Sequence, residues 1–342
     1  MIYNVLKNSI KNNFKIKYTF IIIIQLKILF IFFFLVYIFF SFSYLNFLFN
    51  LFIHQKSKLK KLYENKTSIF TFWEPSRYIP GYLQLCINTW KKNIPNIDII
   101  ILDYSNLNLY LNSSIISKIL CKKMSLAVQA DAIRIAILEK YGGIWMDMDT
   151  IITNKNFLKN FFGYDLAFFG YPHEKYPATG FIYASKNSKI IKEWLINIIK
   201  RVSKFKKFYT RKYIDFSKIS YLYNWDYLGN GIINHLLKEA KEKEFIILDW
   251  VKTNAIPEIN IFRTDRIITG GGNNYKIEAY HKLYFLPGDP KKIIYNNPGI
   301  IFLHNSWTEK KYKYMSKNIF LKQNIMLSSL LKIILKNSTL NI

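Results

Sequence analysis

Two aspartates separated by a single residue, Asp147 and Asp149, stand at the end of an apolar run in "LEKYGGIWMDMDTII", residues 138–152. Carboxylates this close repel each other unless a cation or strong donors compensate them. Hard oxygen ligands suit Mg²⁺ or Mn²⁺, with phosphate oxygens of a substrate completing the shell. The segment has strand character, and strand side chains alternate between faces. Both aspartates are therefore expected on one face, roughly 7 Å apart at Cα, with Met148 in the opposite layer. In an open α/β sheet, ligands bind at that end of the strands. The chemistry implied is a divalent ion carrying a diphosphate.

The elements that would position this pair are legible around it. "SLAVQADAIRIAILEKYGG", 125–143, reads as a buried helix capped by Ser125 and ended by Gly142 in a left-handed turn. Its polar exceptions are Gln129, Asp131 and Arg134. The last two stand three apart and share a face. Spacing leaves two readings open, an ion pair that satisfies itself or two groups aimed at a polar ligand. Earlier, "SIFTFWE" (68–74) reads as a strand, "GYLQLCINTWKKN" as a helix with Leu83, Ile87 and Trp90 at helical spacing, and "IDIIILD" (97–103) as a buried strand. Strand, helix and strand make a βαβ unit with a parallel sheet. "GNG" at 229–231 and "TGGGNNY" at 269–275 lack Walker or Rossmann spacing and read as turns or loops.

The 342 residues favour one large α/β domain with additions. A net charge of +27 suits an anionic partner, but the lysines are dispersed and no stretch interleaves arginines with aromatics. Nucleic acid is therefore not an expected partner. Cys86 and Cys121 have no metal-like spacing and read as ordinary buried residues. From Ile28 to Ile53 the chain carries no charge, and about 20 apolar residues suffice to cross a bilayer. A single-pass amino-terminal anchor is expected there, at a membrane, with lysines on both sides that leave its orientation open. The expected organisation is an anchor over 1–53, a basic stem over 54–66, a catalytic domain over 67–315 and a helical extension over 316–342.

"LAVQADAIRIAILEKYGGIWMDMDTII" resembles the core signature of the DXD-containing sugar-binding glycosyltransferases of family 32 and the related capsular polysaccharide synthesis proteins. Asp131, Arg134, Leu138, Gly142, Gly143, Trp145, Asp147 and Asp149 fill that pattern in register, and Ala130 departs from a usual serine. "FTFWEPSRYIPGYLQLCINTWKKNIP" is similar to the family's first strand and helix, and "IFLHNSWTEKK" (301–311) to its carboxy-terminal His-x-Ser-Trp. The resemblance implies a GT-A type nucleotide-binding-like mixed sheet flanked by helices, and a nucleotide-sugar donor. It implies Mn²⁺ or Mg²⁺ on Asp149, Asp147 and His304. Donor contacts would come from Phe72, Trp73, Asp131, Arg134, Gly143, Trp145, Ser306 and Trp307. A lone histidine also reads as a satisfied core residue.

The activity implied is a membrane-anchored, metal-dependent glycosyltransferase that moves a hexose from a nucleotide sugar to a glycan or lipid-linked acceptor. The family is regarded as retaining, so the leaving phosphate can accept the acceptor's proton. Asp147, Asp149 and Asp226 are the catalytic candidates, and Asp226 and Glu174 the acids on the acceptor side. The domain would face the cytoplasm in a bacterium and the Golgi lumen in a eukaryote. The competing reading is an inactive relative that binds sugar or anionic lipid, the latter through 54–66 and 197–212.

Overall fold

An apolar segment with no polar alternation is stable as a strand only when both its faces are covered. Ser68–Phe72, buried at every position, is that strand, β1. Gly81–Asn93 follows as α1 and Asp98–Leu102 as β2, parallel to β1 from Ser68↔Asp98 to Phe72↔Leu102. The expected βαβ unit is present. The computed structural model describes residues 67–161, 164–209, 226–262, 272–295, 297 and 299–336, with 30, 33, 34, 37–40 and 44. The chain divides into two units, Met1–Lys60 and Lys61–Ile342, and the fold below belongs to the second.

Leu126–Tyr141 is α2, with Ser125 accepting the Val128 amide at 3.4 Å and Gly142 ending the helix at φ +66°. Gly143–Met146 is β3, Thr150–Ile152 β4, Leu166–Tyr171 β5, Tyr176–Ala184 β6, Phe245–Asp249 β7 and Ile300–Phe302 β8. The main sheet runs β2-β1-β3-β6-β5-β7, with β6 antiparallel to both neighbours and the other pairs parallel. It is the mixed, helix-flanked sheet expected. From β1 the chain passes to β2 on one side and then to β3 on the other. The crevice at the carboxyl ends of β1 and β3 is thus a topological switch point, where open sheets bind ligands.

One core joins α1 to Ile69, Met146, Phe169 and Phe181 of the sheet, and to Tyr280, Leu283, Leu327 and Leu331 of helices Gly272–Tyr284 and Met326–Lys336. The carboxy-terminal extension is therefore part of this core. On the opposite face Phe70 stacks on Tyr141 of α2, with ring centroids 5.7 Å apart. Both cysteines are free.

Three expectations are corrected. "IWMDMDTII" is not one strand: β3 ends at Met146, a turn holds 147–149, and β4 belongs to a separate two-stranded sheet with β8. Hydrogen bonding decides this, because β4 finds better partners outside the main sheet. The Trp90 indole donates to the Thr150 carbonyl (2.7 Å), Asn93 donates to the Ile152 carbonyl (2.8 Å), and the Ile152 amide donates to the Thr89 hydroxyl (3.0 Å). "GNG" is the start of helix Asn230–Glu239, and 272–275 of "TGGGNNY" open helix Gly272–Tyr284; its 269–271 lie outside the described residues.

The third correction is the amino-terminal anchor, which is not supported, and the membrane localisation falls with it. No helix among the described residues is long and apolar enough to cross a membrane. Within 28–53 the structure describes residues 30, 33, 34, 37–40 and 44, and the other positions lie outside the described residues.

Gly143 has a backbone role. Its φ is +96°, and a Cβ there would lie 2.7 Å from the Ser68 carbonyl oxygen. Gly143→Ala is expected to lower unfolding free energy by about 2 kcal/mol or more through strain and steric conflict, measured by urea denaturation. Wild-type stability in that variant would contradict the assignment.

Candidate active site

The site grows from the carboxyl end of β3. The Asp147 amide donates to the Gly180 carbonyl at 2.8 Å, which holds the residue against β6 just past the last strand pair. Asp147 Oδ1 accepts from the Trp145 indole at 2.9 Å and from the Arg134 guanidinium at 3.2 Å. Arg134 also donates to the Thr179 carbonyl, lies 3.4 Å from Asp131, and sits 5.1 Å from the Trp145 ring centroid. Its Nε–H, buried, has no hydrogen-bond partner among the described residues. The ion-pair reading of Asp131 and Arg134 is the one seen: they pair with each other, and Arg134 also reaches the Asp147 carboxylate.

Exposure separates their roles. Asp131 and Arg134 are 7% and 5% exposed, Trp145 is buried, and the Asp147 side chain is 40% exposed. Asp147 is the open member, and the others hold it. Burial pushes the Asp131 carboxyl up to about 7, against the pull of Arg134 and with the charges of Asp147 and Asp226 adding to the rise. A Cβ at Gly229 would lie 2.8 Å from Asp131 Oδ2, and one at Gly180 3.1 Å from Asp147 Oδ2. The missing side chains leave room for these carboxylates.

Asp149 is fixed from the other direction. The β4–β8 pairing runs from Ile152↔Ile300 to Thr150↔Phe302, and beyond it the Leu303 amide donates to the Asp149 carbonyl at 2.8 Å. The Asn305 amide then donates to Asp149 Oδ2 at 2.7 Å. Asn305 is itself held by the Tyr82 hydroxyl of α1. His304 follows the same strand. Its ring stacks on Trp307 at 3.8 Å between centroids, meets the edge of Tyr280 at 5.5 Å, and places Nε2 3.5 Å from the buried Glu258. Burial and the neighbouring Asp147 charge push Asp149 up to about 6, with the Asn305 amide and His304 opposing them.

Among the described residues, no three His, Cys, Asp or Glu side chains converge tightly enough to hold a metal ion. The donor chemistry nonetheless fits a hard divalent ion. Burial and the charge of Asp147 raise the proton affinity of Asp149, Arg134 pairs with Asp147, and a cation that keeps water or phosphate ligands needs no full protein cage.

A pocket of about 770 Å³ adjoins this turn, lined by Trp73, Arg77, Tyr78, Asn305, Lys313 and Lys317 among others. Its β1 loop is tied to the end of β2, since the Tyr104 amide donates to Glu74 at 2.8 Å and Ser76 donates to Asp103. Burial lowers the proton affinity of Lys313, and the charge of Asp149 draws it back up. The charge of Asp149 thus reaches Lys313.

The remaining predicted residues divide. Trp73 lines the pocket, Ser306 is exposed in the turn Asn305–Trp307, and Asp226 comes within electrostatic reach of Asp131. Phe72 is buried with its ring against Tyr104, Trp145 is buried behind Asp147, and Gly143 lies at the opposite end of β3. Glu174 is exposed in the β5–β6 turn, where its charge acts on Tyr171. Sequence reasoning missed Asn305, Tyr82, Glu258, Lys313 and Gly180. Of these, Asn305 and Tyr82 stood inside stretches that had drawn notice.

The profile of a family described as "Capsular polysaccharide synthesis protein" matches residues 40–266. No curated protein matches the chain. Among solved structures, "PaToxG Glycosyltransferase" aligns at 16% identity and TM-score 0.32, over 56% of this chain and 75% of that one. The glycosyltransferase GlyE of Streptococcus pneumoniae TIGR4 aligns at 11% identity and TM-score 0.36, and its apo form at 13% and 0.36, each over 79% of this chain. The chain spans 62% of the length of those two.

The carboxyl raised at Asp131 fixes a sign for stability. The unfolded chain releases that proton near pH 4 and the folded chain near pH 7, so the folded form binds more protons between them. Asp131 therefore contributes a loss of stability as pH rises from about 4 to about 7. Thermal midpoints of Asp131→Asn relative to wild type should climb across that window. Parallel pH profiles for the two proteins would refute the shift.

Proposed function

Because the chain belongs to the capsular polysaccharide synthesis protein family, we propose that it is a metal-dependent glycosyltransferase that transfers a hexose from a nucleotide sugar to a glycan acceptor. The observation that carries this reading is the pair of aspartates at a switch-point crevice. Asp147 is held by Arg134 and Trp145, Asp149 by the Asn305 amide, and a cation-lined pocket lies alongside.

The ion would be Mn²⁺ or Mg²⁺, held by Asp149 and Asp147 with His304 beside them. When bound, it supplies Lewis-acid neutralisation of the charge that grows on a nucleoside diphosphate leaving group. Lys313 adds a fixed positive charge on the same side, and Arg77 and Lys317 line the rest of the pocket. Trp73 and Tyr78 give that pocket an aromatic wall for a base. Preorganisation is the chain's main contribution: Asp147 and Asp149 are each tied to a second element before substrate arrives. Asp131 lies behind this front, so its role is to fix Arg134. The acceptor oxygen attacks the anomeric carbon as the glycosyl–phosphate bond breaks toward phosphate. In a retaining course the acceptor proton passes to that phosphate, and no protein base is required.

Incubation with a panel of nucleotide sugars and Mn²⁺ should release nucleoside diphosphate, and EDTA should abolish the release. Asp149→Ala is expected to lower turnover on the order of a hundredfold or more, and full activity in that variant would remove the central claim. Lys313→Ala should weaken donor binding about tenfold, the loss of one charge-assisted hydrogen bond. Isothermal titration with the donor that turns over checks it, and unchanged affinity would place the diphosphate elsewhere.

A further inference from the structure

The basic stretch 197–212 stands apart from every motif of the site, and its described part, 197–209, belongs to the helix Lys189–Tyr209. Arg201 of that helix is committed inside the protein. Its guanidinium donates to the Tyr227 carbonyl at 2.6 Å and to the Gly231 carbonyl at 2.7 Å, and lies 5.0 Å from the Tyr227 ring centroid. Two turns earlier on the same helix, the buried Trp194 indole donates to the Leu228 carbonyl at 2.8 Å. Two side chains of one helix thus hold three carbonyls of one turn. We infer that Arg201 is a positioning residue of the aspartate site: it seats the turn 226–231 over Asp131, which keeps Asp131 paired with Arg134 and Arg134 set on Asp147.

The two glycines of "GNG" let the turn fit between these charged groups. A Cβ at Gly229 would lie 2.8 Å from Asp131 Oδ2, and one at Gly231 would lie 3.2 Å from Arg201 Nη1. The turn closes on itself as the Gly231 amide donates to the Asp226 carbonyl at 2.9 Å and the Ile232 amide to the Gly229 carbonyl at 3.0 Å. From Asp131 the path to the crevice is continuous, 3.4 Å to Arg134 and then 3.2 Å from Arg134 to Asp147. Leu228 and Asn230 are buried with the turn, and Asp131 is dry beneath it. An ion pair kept from water is stronger than the same pair in water, so lifting the turn would hydrate Asp131 and loosen Arg134. The turn also carries Asp226, whose charge opposes that of Asp131, so its seating needs a tie from outside. An arginine suits that tie, because its planar fork reaches two carbonyls at once and an ammonium does not.

The inference rests on the reading of Asp147 as part of an active site, and its test separates the two. In full-length protein labelled with ¹⁵N at arginine Nε, the buried Arg134 Nε–H is identified by its Overhauser contact with the Trp145 ring. In wild type it should exchange with water far more slowly than the Nε–H of an exposed arginine. Arg201→Met should raise that rate about tenfold or more, through the loss of two charge-assisted hydrogen bonds, and Arg201→Lys should raise it less. The Trp90 indole N–H, in the core across the sheet, should keep its rate in both. A wild-type Arg134 Nε–H that exchanges like an exposed one overturns the inference whether or not either variant folds. An unchanged Arg134 rate in a folded Arg201→Met or Arg201→Lys protein overturns it as well, and so does a rise shared equally by Trp90, which would be a loss of global stability. If Arg134 protection depends on Arg201 while no nucleotide sugar is turned over, the proposed function falls and the positioning stands.

Discussion

The site depends on the antiparallel pairing of β4 with β8. These six residues, all buried, bring together segments about 150 positions apart and continue as two further hydrogen bonds onto Asp149, one to its carbonyl and one to its carboxylate. Without that ladder the turn 147–149 would have an anchored start, at Gly180, and a free end. With it, His304 and Asn305 are delivered beside the aspartates by strand register alone. α1 secures the other edge of β4 through Thr89, Trp90 and Asn93, so the small sheet is held on both sides by side chains of the same helix and by β8.

Two carboxylates within electrostatic reach of each other pose a charge problem that the fold resolves unevenly. Asp147 has Arg134, which is buried and therefore strong, and the Trp145 indole. Asp149 has one backbone amide and the histidine nearby, and its proton affinity stays high. An asymmetry of this kind stores a preference for added positive charge at Asp149, on the side where Lys313 and the adjoining pocket lie. Stability is given up locally, and that is usual where a ligand completes the electrostatics.

Burial also sorts residues that share a motif. Asp131, Arg134, Trp145 and Asp147 belong to one signature, but three of them form a supporting layer and one faces the crevice. Their common requirement is geometric, since they share one connected set of ion pairs and hydrogen bonds. Gly143 belongs to the same signature and answers to a different constraint, the close approach of β3 to β1 at the far end of the strand.

The sequence by itself determined the local elements. Ser125 and Gly142 bounded α2, a short β-rich run marked β1 and an unbroken β-branched run β2, and the spacing of Asp131, Arg134, Asp147 and Asp149 marked the candidate site, because caps, periodicity and short-range spacing are local properties. Strand alternation misled at 147–149, where a turn follows the last main-sheet pair and hydrogen bonds from distant residues govern. An uncharged run between Ile28 and Ile53 matched the length of a membrane span, but length and apolarity are necessary conditions only, and no helix of that kind is found among the described residues. Tertiary structure alone decided that Asn305 grips Asp149, that Glu258 lies against His304, and that Lys313 comes within reach of the Asp149 charge. Each of these contacts joins residues tens to hundreds of positions apart, and no pattern of spacing within a segment encodes which distant segment will pack against it.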